Sequence, residues 1–391
     1  MSRFLEWAFG RLPIGWLQLT HNRARLLAAL AGLSFANILI FMQLGFLGAL
    51  ISSIQLPYAQ MNADIIISAS DMNTLADASP LPRQRMYQAL AVHGVTSAVP
   101  IYYGKTEWKQ PNGTVRNLDT FGIDPSVITF NNLDINNARS LLTLSDIAII
   151  DRKTRNVPKS IFTSIDAGVP MIFEAKGHRL TVPRTFTIGG GFSADGYMIV
   201  SDQTFFKLFP QRSPGAPNHI FLKIGKGFKP QDVVRALQAV LPSYDTTVHT
   251  IAETVAKDTS FQTTQRPVGI IFSFGIVIGI IVGVIVVYQV LSSDVADHLR
   301  EYATMKAIGY GRWFFISIVF EQALLLAIIG FIPGVISAFG LYAAIAAITG
   351  LPTGMTWMRA ASVLGGTIAM CTLSGAIATR RLARANPADL F

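Results

Sequence analysis

The sequence predicts an α-helical membrane protein with four transmembrane helices plus one α+β extracytoplasmic domain between the first and the second. Three observations carry that expectation. The 391 residues are 51% hydrophobic and only 14% charged, against about 25% charged in a soluble domain. The apolar residues crowd into 26–54 and the part of the chain from 268 onward, and thin out between. The basic residues bracket these apolar runs instead of forming one patch, so the net charge of +9 does not point to a nucleic-acid partner.

A helix crosses about 30 Å of hydrocarbon in roughly 20 residues. Residues 26–54, 268–290, 313–347 and 359–379 meet that length. The first apolar run is far longer than the roughly 7–15 residues of a cleavable signal core, so it is expected to stay in the protein. Pro333-Gly334 predicts a kink in the third span. Arg3, Arg11, Arg23 and Arg25 precede the first span. Arg300, Lys306 and Arg312 lie between the second and third, and Arg380, Arg381 and Arg384 follow the fourth. The loop after the third span offers only Arg359, at its edge. The positive segments therefore predict both termini and 291–312 in the cytoplasm, a cytoplasmic tail over 380–391, and residues 55–267 outside. Residues 1–25 mix Phe4, Trp7, Phe9 and Trp16 with arginines, the composition of a cytoplasmic interfacial amphipathic helix.

In the external domain, 55–267, strand and helix signals alternate. Asp64–Ser68, Val99–Lys109, His219–Ile224 and Thr246–His249 have strand character; Pro82–Val92 and Pro230–Leu241 have helical periodicity. Pro111-Asn-Gly113 predicts a hairpin turn into a further strand. The domain is thus expected as two β-α-β halves, 63–109 and 218–250, sharing a ferredoxin-like layer. A β-rich insert, 110–217, would form a second lobe. Gly189-Gly-Gly191 has no following Lys-Ser/Thr and no following helix, so it is expected as a flexible loop.

No arrangement of nucleophile and base stands out, and the six histidines are scattered. The single cysteine, Cys371, sits in an apolar run, so no internal disulfide is available. The chain has no GxxxxGK[ST]. It is expected to be a non-catalytic protein, and any ATP it depends on is hydrolysed by another polypeptide.

Within the spans, Gly275, Gly279 and Gly283 form GxxxGxxxG, which clears one helix face for a close backbone neighbour. That neighbour is either the first span or a second copy of the chain. Asn37 and Gln43 are read as interhelical hydrogen-bonding groups. Glu321, beside Gln322, is costly in lipid and should face protein or water. A structural contact near the cytoplasmic interface, in reach of Arg312 or the preceding helix, is favoured over a proton or cation site.

The segment 291–312 is expected to hold one capped helix. Ser293 would be its N-cap, with Asp294 and Asp297 in the first turn, Lys306 near the end and Gly309 as the stop. Val295, Leu299 and Tyr302 would make an apolar face flanked by Arg300, Glu301 and Lys306, suited to a groove on a cytosolic partner.

Arg300-Glu-Tyr-Ala-Thr-Met-Lys-Ala-Ile-Gly309 resembles the R-E-x-A-x-x-[KR]-A-[IL]-G motif of the FtsX/MacB permease superfamily. The closing segment Arg380-Arg-Leu-Ala-Arg-Ala-Asn-Pro-Ala-Asp389 and the layout of one span, a large domain and three spans are similar to that family as well. Trp16-Leu-Gln-Leu-Thr-His21 and Phe41-Met-Gln-Leu-Gly-Phe46 resemble the DevC permeases of cyanobacteria. The resemblance implies a homodimeric permease subunit of a type VII ABC exporter in the cytoplasmic (inner) membrane, with its large domain periplasmic. It implies no cofactor in this chain: ATP and Mg are bound by a separate cytosolic DevA-like ATPase, which moves the helix carrying Val295, Leu299, Arg300, Glu301, Tyr302, Lys306 and Gly309. A DevB-like membrane-fusion protein and a TolC-like outer-membrane channel complete the expected assembly. The implied cargo is lipid-like or amphiphilic, a glycolipid in the system associated with heterocysts. An FtsX-type mechanotransmitter that regulates a cell-wall hydrolase and a lipoprotein-releasing permease share the layout. The large external domain with its insert favours the exporter.

Overall fold

The computed structural model describes residues 14–110 and 113–384. Residues 1–13 of the expected interfacial helix, 111–112 of the expected hairpin turn and 385–391 of the expected tail lie outside the described residues, as do the side chains of Arg312 and of residues 380–384, with Arg380, Arg381 and Arg384 among them. The chain divides into a helical unit, 1–47, 270–345 and 353–391, and a second unit, 48–269 and 346–352, called the external unit because it holds the domain expected outside the membrane.

Among the described residues, four helices are long and apolar enough to cross a membrane: Arg23–Ala59, Pro267–Asp297, Trp313–Thr349 and Trp357–Thr379. The first is longer than the expected 26–54 span. The third runs through Pro333 without a break in the helix. In the helical unit, Leu33, Leu291, Val319, Ala323 and Cys371 share one buried core. Small residues set the helix approaches. A β-carbon at Gly279 would lie 2.7 Å from Ile40 Cγ1, and one at Gly275 would lie 2.3 Å from Gln43 Cδ. At Gly283 the nearest atoms belong to Met370, with Ala36 Cβ at 3.5 Å. The glycine face of the second long helix therefore receives the first long helix of the same chain, with the fourth beside it. Asn37 accepts a hydrogen bond from Thr367 Oγ1 at 2.7 Å. Ser34 donates to the Gly330 carbonyl at 3.0 Å.

The external unit is built on nine strands: β1 Ile65–Ala69, β2 Val95–Lys109, β3 Val115–Ile123, β4 Ile147–Asp151, β5 Met171–Ala175, β6 His178–Phe186, β7 Gly196–Ser201, β8 His219–Ile224 and β9 Thr246–Thr250. Its helices are α1 Gln84–Leu90, α2 Leu133–Ala138, α3 Lys159–Asp166, α4 Asp202–Leu208, α5 Pro230–Val240 and α6 Ile251–Thr264. The sheet order is β5-β6-β4-β7-β3-β2-β8-β1-β9. The β-α-β units β1-α1-β2 and β8-α5-β9 interleave as β2-β8-β1-β9, every neighbour antiparallel. Met86, Ala89, Val233 and Leu237 cover Ile65, Ile67, Ile220 and Leu222 in one apolar layer.

The insert differs from the expected separate β-rich lobe. β2 is 15 residues long. Its first half pairs with β8 and its second half with β3, so the insert continues the same sheet. Three short helices, α2, α3 and α4, also fall within the insert. The Gly189–Gly191 segment is packed, not loose. Asp151 accepts from the Ile188 and Gly189 N–H groups at 3.2 and 2.6 Å, and all three glycines are buried.

His219 is fully buried; its Nε2 lies 2.9 Å from the Leu75 carbonyl and its Nδ1 2.7 Å from Ser68 Oγ. Nε2–H donates to the carbonyl, which leaves Nδ1 to accept from the serine hydroxyl. At the end of β9, a reciprocal cap starts α6: Thr250 Oγ1 accepts from the Glu253 N–H at 3.2 Å, and Glu253 accepts from the Thr250 N–H at 2.9 Å.

Candidate functional site

The segment that the sequence marks for partner docking folds differently from the single capped helix expected. The second long helix does not end before Ser293; it continues to Asp297. His298 interrupts it, and a separate connecting helix spans Leu299–Ala307. Ser293 is thus inside a helix and is not its cap. The apolar run simply extends helix formation past it, because Val295 still has a core to enter. Gly309 ends the connecting helix at φ +107°, a conformation that a β-carbon disfavours.

The expected apolar face is also turned inward. Val295 is 2% exposed and packs with Leu291 and Val319. Tyr302 is 3% exposed and packs with Phe315 and Ile318. Its ring meets Phe315 edge-on at 5.6 Å. Leu299 is half-buried. The outward face carries Arg300, Glu301, Thr304 and Lys306, and beyond it Ile308 and Tyr310. Ile308 is 74% exposed, which makes it the strongest apolar group of this surface.

What holds the connecting helix is a buried polar cluster, and the sequence does not announce it. The short N-terminal helix Ile14–His21 contributes Gln18. Tyr302 donates to Gln18 Oε1 at 2.9 Å. Gln322 Nε2 donates to the same oxygen at 3.1 Å and to Asp294 Oδ2 at 2.6 Å. His298 Nδ1 lies 2.9 Å from the Asp294 carbonyl. Arg25 pairs with Asp297 at 2.5 Å. Five helical segments are thereby tied at one level. Burial and the nearby Asp294 carboxylate keep the Tyr302 hydroxyl protonated, its pKa displaced upward.

Glu321 is 4% exposed, and its Oε1 faces the Trp16 N–H at 3.4 Å. A β-carbon at Gly15 would lie 3.0 Å from the Ile318 carbonyl, so the N-terminal helix packs directly against the third long helix. Asn37 and Gln43 sit elsewhere in the unit, on the first long helix, where Gln43 meets Gly275. Gln18, His298 and Ile308 are the residues that sequence reasoning missed. The available signal was Gln18, a lone amide between apolar residues, at the same helical level as Gln322.

Residues 273–387 match the family described as FtsX-like permease C-terminal. No curated protein matches the chain. Among solved structures, the periplasmic region of MacB from Actinobacillus actinomycetemcomitans is similar at 11% identity and a TM-score of 0.34, over 50% of this chain and 92% of that one. The extracellular domain of the noncanonic ABC-type transporter YknZ from Gram-positive bacteria is similar at 13% identity and a TM-score of 0.33, over 48% of this chain and 98% of that one. The matched segment contains the connecting helix, the Glu321–Gln322 pair and most of the last three long helices, and this part of the chain is similar to the FtsX-like permease C-terminal domain.

Proposed function

We propose that the chain is the permease subunit of an ABC exporter, a non-catalytic protein that passes motion from a separate cytosolic ATPase to its external domain. The observation that carries this reading is the FtsX-like permease match over 273–387, which includes the connecting helix. In this reading the four long helices span the inner membrane, both termini are cytoplasmic and residues 55–267 are periplasmic. The basic segments support that orientation. The chain works as a homodimer. The β2-β8-β1-β9 layer is the ferredoxin-like part of the external domain, whose interleaved order fits that description. A DevB-like fusion protein and a TolC-like channel continue the path, and the cargo is lipid-like or amphiphilic, as in DevC systems.

The ATPase docks on the outward face of the connecting helix, and the Gln18–Tyr302–Gln322–Asp294 ties carry its displacement into the long helices. An aspartate at Ile308 places a charge in an apolar groove, and a buried unpaired charge costs several kcal/mol. Ile308→Asp should therefore weaken association with the ATPase by about a hundredfold, while Glu301→Lys at the rim acts more weakly. Co-purification of the reconstituted pair, with ATP turnover, measures both. Binding by Ile308→Asp equal to the native protein would remove the docking site, and with it the placement of this helix in the cytosol.

A further inference from the structure

The register of the external sheet gathers polar groups at one place. Asp119 on β3 lies opposite Lys105 on β2 and Tyr197 on β7. Side chains directly opposite share a face, and Tyr103, two residues from Lys105, joins them. This face is one wall of a cavity of about 390 Å³ within the external unit, inside the range of small-ligand pockets. The other walls are the end of the first long helix, with Ile54, Pro57 and Tyr58, the loop Thr74–Asp77, and α6 with Asp258 and Gln262.

The acids of this cavity are not alike. Asp258 accepts from the Tyr58 hydroxyl at 2.8 Å, the Leu75 N–H at 3.0 Å and Gln262 Nε2 at 2.6 Å. Asp77 caps its own loop through the Thr74 N–H at 2.7 Å and pairs with Arg266 at 3.4 Å. Asp119 is 5% exposed, and its Oδ1 has no hydrogen-bond partner. The Tyr103 hydroxyl, on a residue 3% exposed, acts on this carboxyl and holds its pKa down, yet the two do not meet in hydrogen-bond geometry, so the hydroxyl has no partner of its own. A buried carboxylate is ordinarily paired. Lys105, exposed at the rim, favours the Asp119 carboxylate but is outweighed by burial, and Arg266 pairs with Asp77.

We propose that this cavity is a binding site for an amphiphilic organic cation, whose ammonium group donates to Asp119 and whose apolar part lies against Ile54 and Pro57. Three observations point to a cation over an anion or a neutral molecule. The unfilled Asp119 oxygen wants a donor, and a charged donor makes the stronger bond. Tyr58, Tyr103 and Tyr197 line the walls, and aromatic rings attract cations. Acidic side chains outnumber basic ones along the walls, and the basic ones stand at the rim or are already paired. The site does not depend on the ATPase reading, since every residue in it belongs to the external unit.

The test uses the full chain in lipid discs and equilibrium dialysis of labelled phenethylamine, with phenylethanol and phenylpropionate as the neutral and anionic probes of similar size. The expected result is saturable amine binding above empty discs, with the alcohol and the acid weaker by about tenfold or more, the loss expected for one hydrogen bond to a charged group. Asp119→Asn should erase the advantage of the amine, and Tyr103→Phe should reduce it less. Should Asp119→Asn fold poorly, the order of the three probes on the native chain decides. Amine binding no greater than in empty discs, equal binding of the alcohol, preference for the acid, or unchanged amine binding in a folded Asp119→Asn variant would each overturn the proposal.

Discussion

The helical and external units both bury polar side chains, but those groups meet different fates. In the helical unit several of them pair across helices: Thr367 with Asn37, Tyr302 and Gln322 with Gln18, and Gln322 with Asp294. Such bonds join segments far apart in sequence, so they fix one helix against another. In the external unit most polar groups are also satisfied, as Asp258 and Asp151 are by three donors each. Both units also hold buried atoms without a partner, Asn37 Nδ2 and Gln322 Oε1 in the helical unit and Trp108 Nε1 and Asn136 Oδ1 in the external one among them, and of these Asp119 Oδ1 and the Tyr103 hydroxyl are the two on the cavity wall. The bonds between helices are where a displacement would be transmitted, and the two unpartnered atoms on the cavity wall are where the proposed ligand would be received.

The largest effect is expected where the helical unit relies on missing side chains. At Gly279 a β-carbon already meets Ile40 Cγ1 at 2.7 Å. Gly279→Leu adds a full side chain between two helices, and overpacking of this kind costs about 1–3 kcal/mol or more. A loss of monodisperse protein and a lowered melting temperature are expected, with Gly279→Ala intermediate because the Ile40 side chain can move. A Leu variant that melts normally yet no longer dimerises would show that the glycine face serves a second copy instead of the first long helix.

A smaller effect is expected from removing one polar tie. Gln322→Leu deletes both donors to Gln18 and Asp294 and leaves a buried carboxylate short of a partner, at a cost of about 1–3 kcal/mol. Tyr302→Phe deletes one neutral bond, about 0.5–1.5 kcal/mol. Hydrogen exchange in Leu299–Ala307 should speed up in both, more in the first, and ATP turnover by the partner should lose its response to the permease while binding persists. Unchanged exchange in Gln322→Leu would mean that apolar packing alone holds the connecting helix, and the contrast between the units would fade.

The four long helices and the two β-α-β units were legible because each has its own periodicity or apolar length. Gly275, Gly279 and Gly283 were legible as a packing face, but spacing cannot tell a neighbour in the same chain from one in another copy. The capped helix beginning at Ser293 was misjudged for a related reason. Ser293, Asp294 and Asp297 have the composition of a helix start, yet tertiary burial of Val295 and Asp294 carries the previous helix past them. Tyr302 looked like docking surface because an apolar stripe does not say which side is already covered. The Asp119 site was not legible at all, since it depends on a strand register that brings residues 105, 119 and 197 together.

The smallest effect is a pH dependence that separates two buried groups of the external unit. Burial lowers the His219 pKa to about 4 from 6.5, against the pull of the Leu75 carbonyl and Asp77. The unfolded chain takes up a proton near 6.5 while the folded chain does not, so this group removes stability as the pH falls from about 6.5 to 4. Burial raises Asp119 from 3.8 to about 6, against Tyr103 and Lys105. Here the folded chain binds the proton first, so stability is gained as the pH falls from about 6 to 3.8 and is lost again as it rises. The two slopes oppose each other over nearly the same window. Other buried acids with raised values, Asp151 and Asp258 among them, act with the sign of Asp119 and are present in native and variant alike. Asp119→Asn removes only its own share. The variant should therefore lose stability more steeply on acidification than the native chain, as read by urea midpoints of amide exchange in β1 and β8. Parallel curves for the two proteins would mean that the Asp119 carboxylate is not held above its ordinary range in the folded chain. The contrast drawn between satisfied and unsatisfied acids would then lose its clearest member.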